Sequence, residues 1–173
     1  MSIKQTITKA TLMSTIENFD KMAHFVSSKR AVYTIIKNAK KYQGEYDALI
    51  KASEFEIEGF EEYKNDFLQV AQEYAQKDES GNIKWNEQMT GFFVQDASKQ
   101  EETNDKIKEV NEKHKDVLDK RVEMIKDYNN LLNEEIEVEF DTISLNDLPD
   151  VVDKDKELEY KGIMASLFEY IVE

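Results

Sequence analysis

Apolar residues recur at steps of three and four along most of this chain, and only five glycines and one proline interrupt them. That spacing is the signature of amphipathic helices, and scarce breakers let such helices run long. Ile7, Ala10, Leu12, Met13, Ile16, Phe19, Met22, Ala23 and Val26 form one stripe. After a break at Ser27-Ser28, a second stripe holds Val32, Ile35, Ile36, Ala39, Tyr42, Tyr46, Leu49 and Ile50, with Gly44 inside it. Phe60, Tyr63, Phe67, Val70, Ala71 and Tyr74 mark a third helix, which ends near Lys77. Ser98, with Glu101 three residues on, has capping-box spacing and opens a long helix to about Asn133. Its stripe is Ile107, Val110, His114, Val117, Arg121, Met124, Ile125, Tyr128 and Leu132. Asp153 or Asp155 caps a last helix with Leu158, Ile163, Met164, Leu167, Phe168 and Ile171.

Three stretches depart from the helical period. Glu135 to Asp141 alternates strictly, with Ile136, Val138 and Phe140 on one side and acids on the other, as a half-buried strand does. Ile83–Trp85 and Phe92–Val94 flank Met89-Thr90-Gly91 and read as a small hairpin, the obvious partner for that strand. Residues 53–59 stay open between loop, strand and helix. The expected fold is mainly α: a bundle of four or five helices with a small antiparallel β element, made of a hairpin near 83–94 plus strand 135–141. At 173 residues, without a low-complexity linker or repeat, residues 1–173 are expected to form a single domain.

Charge is distributed unevenly. Residues 1–44 carry eight bases and two acids, a net of +6. The rest carries 15 bases and 35 acids, a net of −20, and together they give the formal −14. Either the basic segment packs on the acidic remainder, or it docks on nucleic acid or an acidic partner, or the acidic body faces a basic partner. A body at −20 repels free DNA, so direct nucleic-acid binding is not expected.

Chemistry is hard to place. With no cysteine, the chain has no disulfide, thiolate metal site or cysteine nucleophile. His24 lies near Ser27 and Ser28, but no nucleophile elbow or third member accompanies it. His114 sits on a helical stripe. Asp78-Glu79-Ser80-Gly81-Asn82 fails as a calcium loop, because Ile83 stands at the sixth position where glycine is needed. It reads as a turn. There is no phosphate-binding glycine loop, and no metal or cofactor is expected. The first residues lack the apolar core of a secretory signal, and no apolar run approaches the about 20 residues of a membrane span. The expected setting is therefore a cytoplasm or a virion assembled there, away from membranes.

Two groups remain as candidate partner-binding residues. Trp85, Phe92 and Phe93 fall outside the helical stripes, where aromatics either anchor a partner or cover the bundle end. Glu135, Glu137, Glu139 and Asp141 form either a solvated strand face or a negative strip for a Lys/Arg-rich partner.

The order of several short segments resembles a known group. Arg30–Ala39 follows the first helix, Tyr74–Asn82 follows an acidic helix, and Leu131–Glu139 leads from helix into strand ahead of Ile143–Leu148. This arrangement resembles small uncharacterised helical proteins of tailed bacteriophages and prophages. The stretch Ile83–Asp105 departs from that group. The resemblance implies a phage context, points to no particular enzymatic activity, and carries over no site residue. The expected function is non-enzymatic protein binding, as a structural or assembly component or an adaptor. The alternative is an acidic, nucleic-acid-mimicking inhibitor of a host nucleic-acid-binding protein, such as one of a defence system. The oligomeric state is left open.

Overall fold

A computed structural model describes residues 1–26, 28–88, 90–149 and 152–172. Ser27 and Met89, assigned above to a helix break and a turn, lie outside the described residues. The fold is mainly α with a small antiparallel β element. Six α-helices lie among the described residues, and the chain divides into two compact units, Met1–Glu54 with Asp127–Glu173, and Phe55–Lys126.

The first unit contains β1 (Ser2–Thr8), α1 (Lys9–Met22), α2 (Lys29–Ser53), β2 (Glu135–Asp141) and α6 (Glu157–Ile171). β2 has the bounds that its alternation predicts. Its partner is not the 83–94 hairpin but β1, antiparallel, from Ser2 opposite Asp141 to Thr8 opposite Glu135. β1 escapes a sequence reading because polar Gln5 holds an inward place between Ile3 and Ile7. The Gln5 amide is accommodated there by donating to the Glu169 carbonyl at 3.0 Å. The first helix accordingly starts at Lys9, where the Thr8 hydroxyl caps the Thr11 amide at 3.1 Å. α2 runs 25 residues through Gly44 from its cap, Ser28.

The core of this unit joins Ile7, Leu12, Ile16, Phe19 and Met22 to Ile35, Val138, Phe140, Ile163, Leu167 and Ile171. Phe140 is its centre, edge-on to Phe19 at 5.1 Å and to Tyr42 at 5.3 Å. α2 also closes the outer edge of β2. Asn38, 1% exposed, donates to the Asp141 carbonyl and accepts from its amide, both at 2.8 Å. One turn on, the Tyr42 hydroxyl accepts from the Glu139 amide at 2.7 Å. Side chains four apart on a helix thus meet main-chain groups two apart on a strand, in place of a third strand.

The second unit contains α3 (Phe60–Tyr74), α4 (Gln100–Lys113) and the first part of α5 (Lys115–Asn133). Gly59 opens α3 at φ 85°, a conformation that favours glycine, and a Cβ there would meet Val117 at 3.1 Å. The single helix expected from Ser98 to Asn133 is two helices, because the backbone breaks at His114. The Ser98 capping box does not form. Asp96 instead accepts from the Ser98 amide at 2.9 Å and starts a short 3-10 turn ahead of α4. At the other end of the chain, Asp153 and Asp155 do not cap α6 through their side chains; a 3-10 turn, Lys154–Lys156, leads into it.

Between α3 and α4 the chain folds back twice. Antiparallel bridges join Ala75 to Val94, Lys77 to Ile83 and Trp85 to Phe92. Asp78 accepts from the Ser80 and Asn82 amides, each at 2.9 Å, and Asn86 accepts from the Thr90 amide at 2.9 Å. These side-chain turns let an 18-residue excursion hold a shape without a sheet of its own.

Candidate functional site

In the second unit, the folded-back ladder is laid against a row of rings. Phe60, Tyr63 and Phe67 follow one another along α3 at 5.8 and 6.0 Å. Trp85 stacks on Phe67 at 6.4 Å, and Phe92 meets its edge at 5.9 Å. Trp85 and Phe92 also touch each other at 6.4 Å. Two of the three aromatic candidates thus serve to fix the ladder to α3 and remain half-buried. Strand alternation turns Phe93 away from Phe92, and Phe93 stays 53% exposed. Its backbone is nonetheless fixed. The Phe93 amide donates to the Lys84 carbonyl at 3.1 Å, and its carbonyl accepts from the Gln76 amide at 2.6 Å.

The acidic candidates belong to the first unit and the rings to the second. Glu135, Glu137, Glu139 and Asp141 alternate with the core side chains of β2 and face outward. Bases from residues 1–44 pair with Glu139 and Asp141, and with Glu134 just ahead of the strand. Lys37 reaches Asp141 at 2.5 Å, Lys41 lies 3.9 Å from Glu139, and Lys9 bridges Glu134 at 2.9 Å and Glu45 at 3.7 Å. The Lys37 hydrogen bond holds the Asp141 carboxyl below its ordinary range. Glu139 is lowered as well, first by the Ser2 hydroxyl and then by the charge of Lys4. Lys4, Thr6, Lys41, Tyr42, Glu137 and Glu139 line a surface depression of about 480 Å³ in which both signs of charge are present.

The charge polarity of the sequence therefore does not survive folding. The first unit has 19 acids against 12 bases, and the second has 18 against 11, a net of −7 each. Basic residues early in the sequence and acidic residues near residue 140 meet on one small sheet.

One cluster was invisible in the sequence. His114, 7% exposed, lies with its Nε2 2.7 Å from Asp66 Oδ2, and Lys113 reaches the same oxygen at 2.6 Å. Tyr63 stands edge-on to the imidazole at 5.7 Å and donates to Asn111 at 3.3 Å. Hydrogen bonding from His114, then from Lys113, holds the Asp66 carboxyl below its ordinary range. A 48-residue separation hides this pair in the sequence. The pair ties the helix break at His114 to α3, and among the described residues no serine or threonine hydroxyl is bonded to it. His24 is exposed beyond the end of α1.

Among the described residues, no group of three or more metal-ligating side chains converges, and no helix is long and apolar enough to cross a membrane. Comparison with known proteins finds no matching family model, no matching curated protein and no matching solved structure.

Proposed function

We propose that this chain is a non-enzymatic protein-binding protein, acting as a structural or assembly component or as an adaptor. Following the resemblance noted above, it is encoded by a phage and works in the host cytoplasm or in the assembled virion. The observation that carries the binding reading is Phe93, an exposed ring on a main chain bonded on both sides. An aromatic presented on a fixed backbone loses little conformational freedom when a partner covers it, which is how binding anchors act.

The reading of the acids as a nucleic-acid mimic has less support. Lys37 and Lys41 already pair with Asp141 and Glu139, and Lys9 with the adjoining Glu134, which reduces the field available to a basic groove. The test is a photo-crosslinking side chain at position 93 in producing cells, compared with one at exposed Glu79 of the second unit. A discrete protein adduct at 93, absent at 79 and lost from pull-downs of Phe93→Ser, is the expected result. Identical recovery by Phe93→Ser and the unaltered chain overturns the reading. Partner release on raising salt from 50 to 200 mM, with competition by DNA, would favour the mimic instead.

A further inference from the structure

The two edges of the small sheet are treated differently, and the difference points to a ligand. On β2, the amides and carbonyls of Glu139 and Asp141 turn away from β1, because Tyr42 and Asn38 reach them from α2. In an antiparallel pair, residues directly opposite share the same hydrogen-bonding direction. Lys4 and Ser2 stand opposite Glu139 and Asp141, and Thr6 stands opposite Glu137. The amides and carbonyls of Ser2, Lys4 and Thr6 must therefore point outward from β1. Bonds at intervening positions agree, with the Thr142 amide donating to the Met1 carbonyl at 3.0 Å and the Lys9 amide to the Glu134 carbonyl at 2.9 Å. No main-chain group of Ser2, Lys4 or Thr6 has a bonding partner outside the sheet among the described residues. One edge is closed by a buried asparagine and a tyrosine, while the other is left open.

The chemistry of what fits is set by β1 itself, since its side chains border both edges. Ser2, Lys4 and Thr6 lie on the outward face, and Ile3, Gln5 and Ile7 on the inward one. On the closed side that alternation has taken Glu-Ile-Glu-Val-Glu-Phe-Asp, acids beside Lys4 and apolar residues toward the core. On the open side Lys4 makes no ion pair among the described residues. α6 lies against β1. The Glu169 carbonyl lies 3.0 Å from the Gln5 side chain, and its neighbour Phe168 is 47% exposed.

We propose that the outer edge of β1 takes an extended segment of a partner protein, antiparallel, with alternating acidic and apolar residues, as a third strand. Its main chain bonds Ser2, Lys4 and Thr6, its acids lie beside Lys4, and its apolar side chains cover Phe168. The inference shares with the function proposed above only that the ligand is protein. It uses the other unit, so each can fail without the other.

The experiment uses the full chain, isotope-labelled, and a synthetic seven-residue peptide that alternates glutamate with valine and isoleucine. The amides of Ser2, Lys4 and Thr6, open in the free protein, should exchange at least about tenfold more slowly with peptide bound, while Val138 and Phe140 stay unchanged. A peptide with alternate backbone nitrogens methylated should not bind. Thr6→Pro, which removes an outward amide only, should lose the effect, and Lys4→Glu should weaken it while favouring a peptide with lysine for glutamate. Equal binding of the methylated peptide, protection elsewhere, or no binding at millimolar peptide each overturns the proposal. So does protection of the three amides in the free protein that grows with concentration alongside a doubled mass, which would place a second copy of this chain on the edge.

Discussion

The two units carry equal net charge but close in different ways. Of the ten largest fully buried side chains among the described residues, all but Thr103 belong to the first unit. That unit is an aliphatic and aromatic core around Phe140, with a two-stranded sheet whose one edge is tied by α2. The second unit buries little outright: Ile57, Val70, Ala71, Tyr74, Ala75, Thr103 and His114. Its shape comes from half-exposed rings laid on Phe67, from turns organised by Asp78 and Asn86, and from Asp66, held by His114 and Lys113 at the helix break. Burial of apolar surface dominates stability, so the first unit should resist opening longer than the second.

The largest effect is expected at the centre of the first core. Phe140→Ala removes a ring packed on Phe19, Tyr42 and Tyr170 and should cost about 3–5 kcal/mol by urea unfolding. A loss under about 1 kcal/mol would mean that this core does not hold the unit together. Asn38→Leu comes next. It removes the partner of both Asp141 main-chain groups in a buried place and should cost roughly 1–3 kcal/mol. If Asn38→Leu is neutral, water reaches that edge of β2 and its closure is not structural.

Phe67→Ala sharpens the contrast between the units. The ring is half-buried, so the expected cost is about 2 kcal/mol, below that of a full core aromatic. The readout that matters is local. Amides of Gln76, Lys84, Asn86 and Phe93, bonded across the ladder, should lose exchange protection, whereas those of Val138 and Phe140 should keep theirs. Equal loss in both units would show that they unfold together and would remove the distinction drawn from their cores.

What the sequence discloses follows the same division between local and distant causes. The strand at 135–141 is legible because its period of two is set by its own residues. Its partner is not, since a pairing of Ser2 with Asp141 depends on what α1, α2 and α6 bury beneath it. The helix break at His114 leaves no glycine or proline in the sequence. It is stabilised by Asp66, a residue from another helix, and nothing near residue 114 announces it. Charge behaves likewise. A run of bases in 1–44 looks like a docking segment until Lys9, Lys37 and Lys41 are found on acids nearly a hundred or more residues away, and on Glu45. For the candidate residues, position outside the helical stripes was informative for Trp85, Phe92 and Phe93 as a group. Which of the three remains exposed depends on Phe67.

The smallest effect concerns the charged pin of the second unit. Asp66 is held below its ordinary value of 3.8 by the His114 hydrogen bond and then by Lys113. A carboxyl depressed in the folded state adds stability above its unfolded value, and that contribution is lost as pH falls through the folded value. Between about pH 5 and pH 2, therefore, the unaltered chain should lose its stability advantage over Asp66→Asn. The α3–α4 amides report this best, because the pair bridges those helices. The carboxyl is reached by solvent and shared with the exposed charge of Lys113, so the gap should be modest and should shrink in salt. A gap that stays flat down to pH 2 would mean that the carboxylate contributes through shape alone. The helix break at His114 would then depend on the ring of Tyr63, and the second unit would lack the contribution from charge that Lys37 and Lys41 can make in the first.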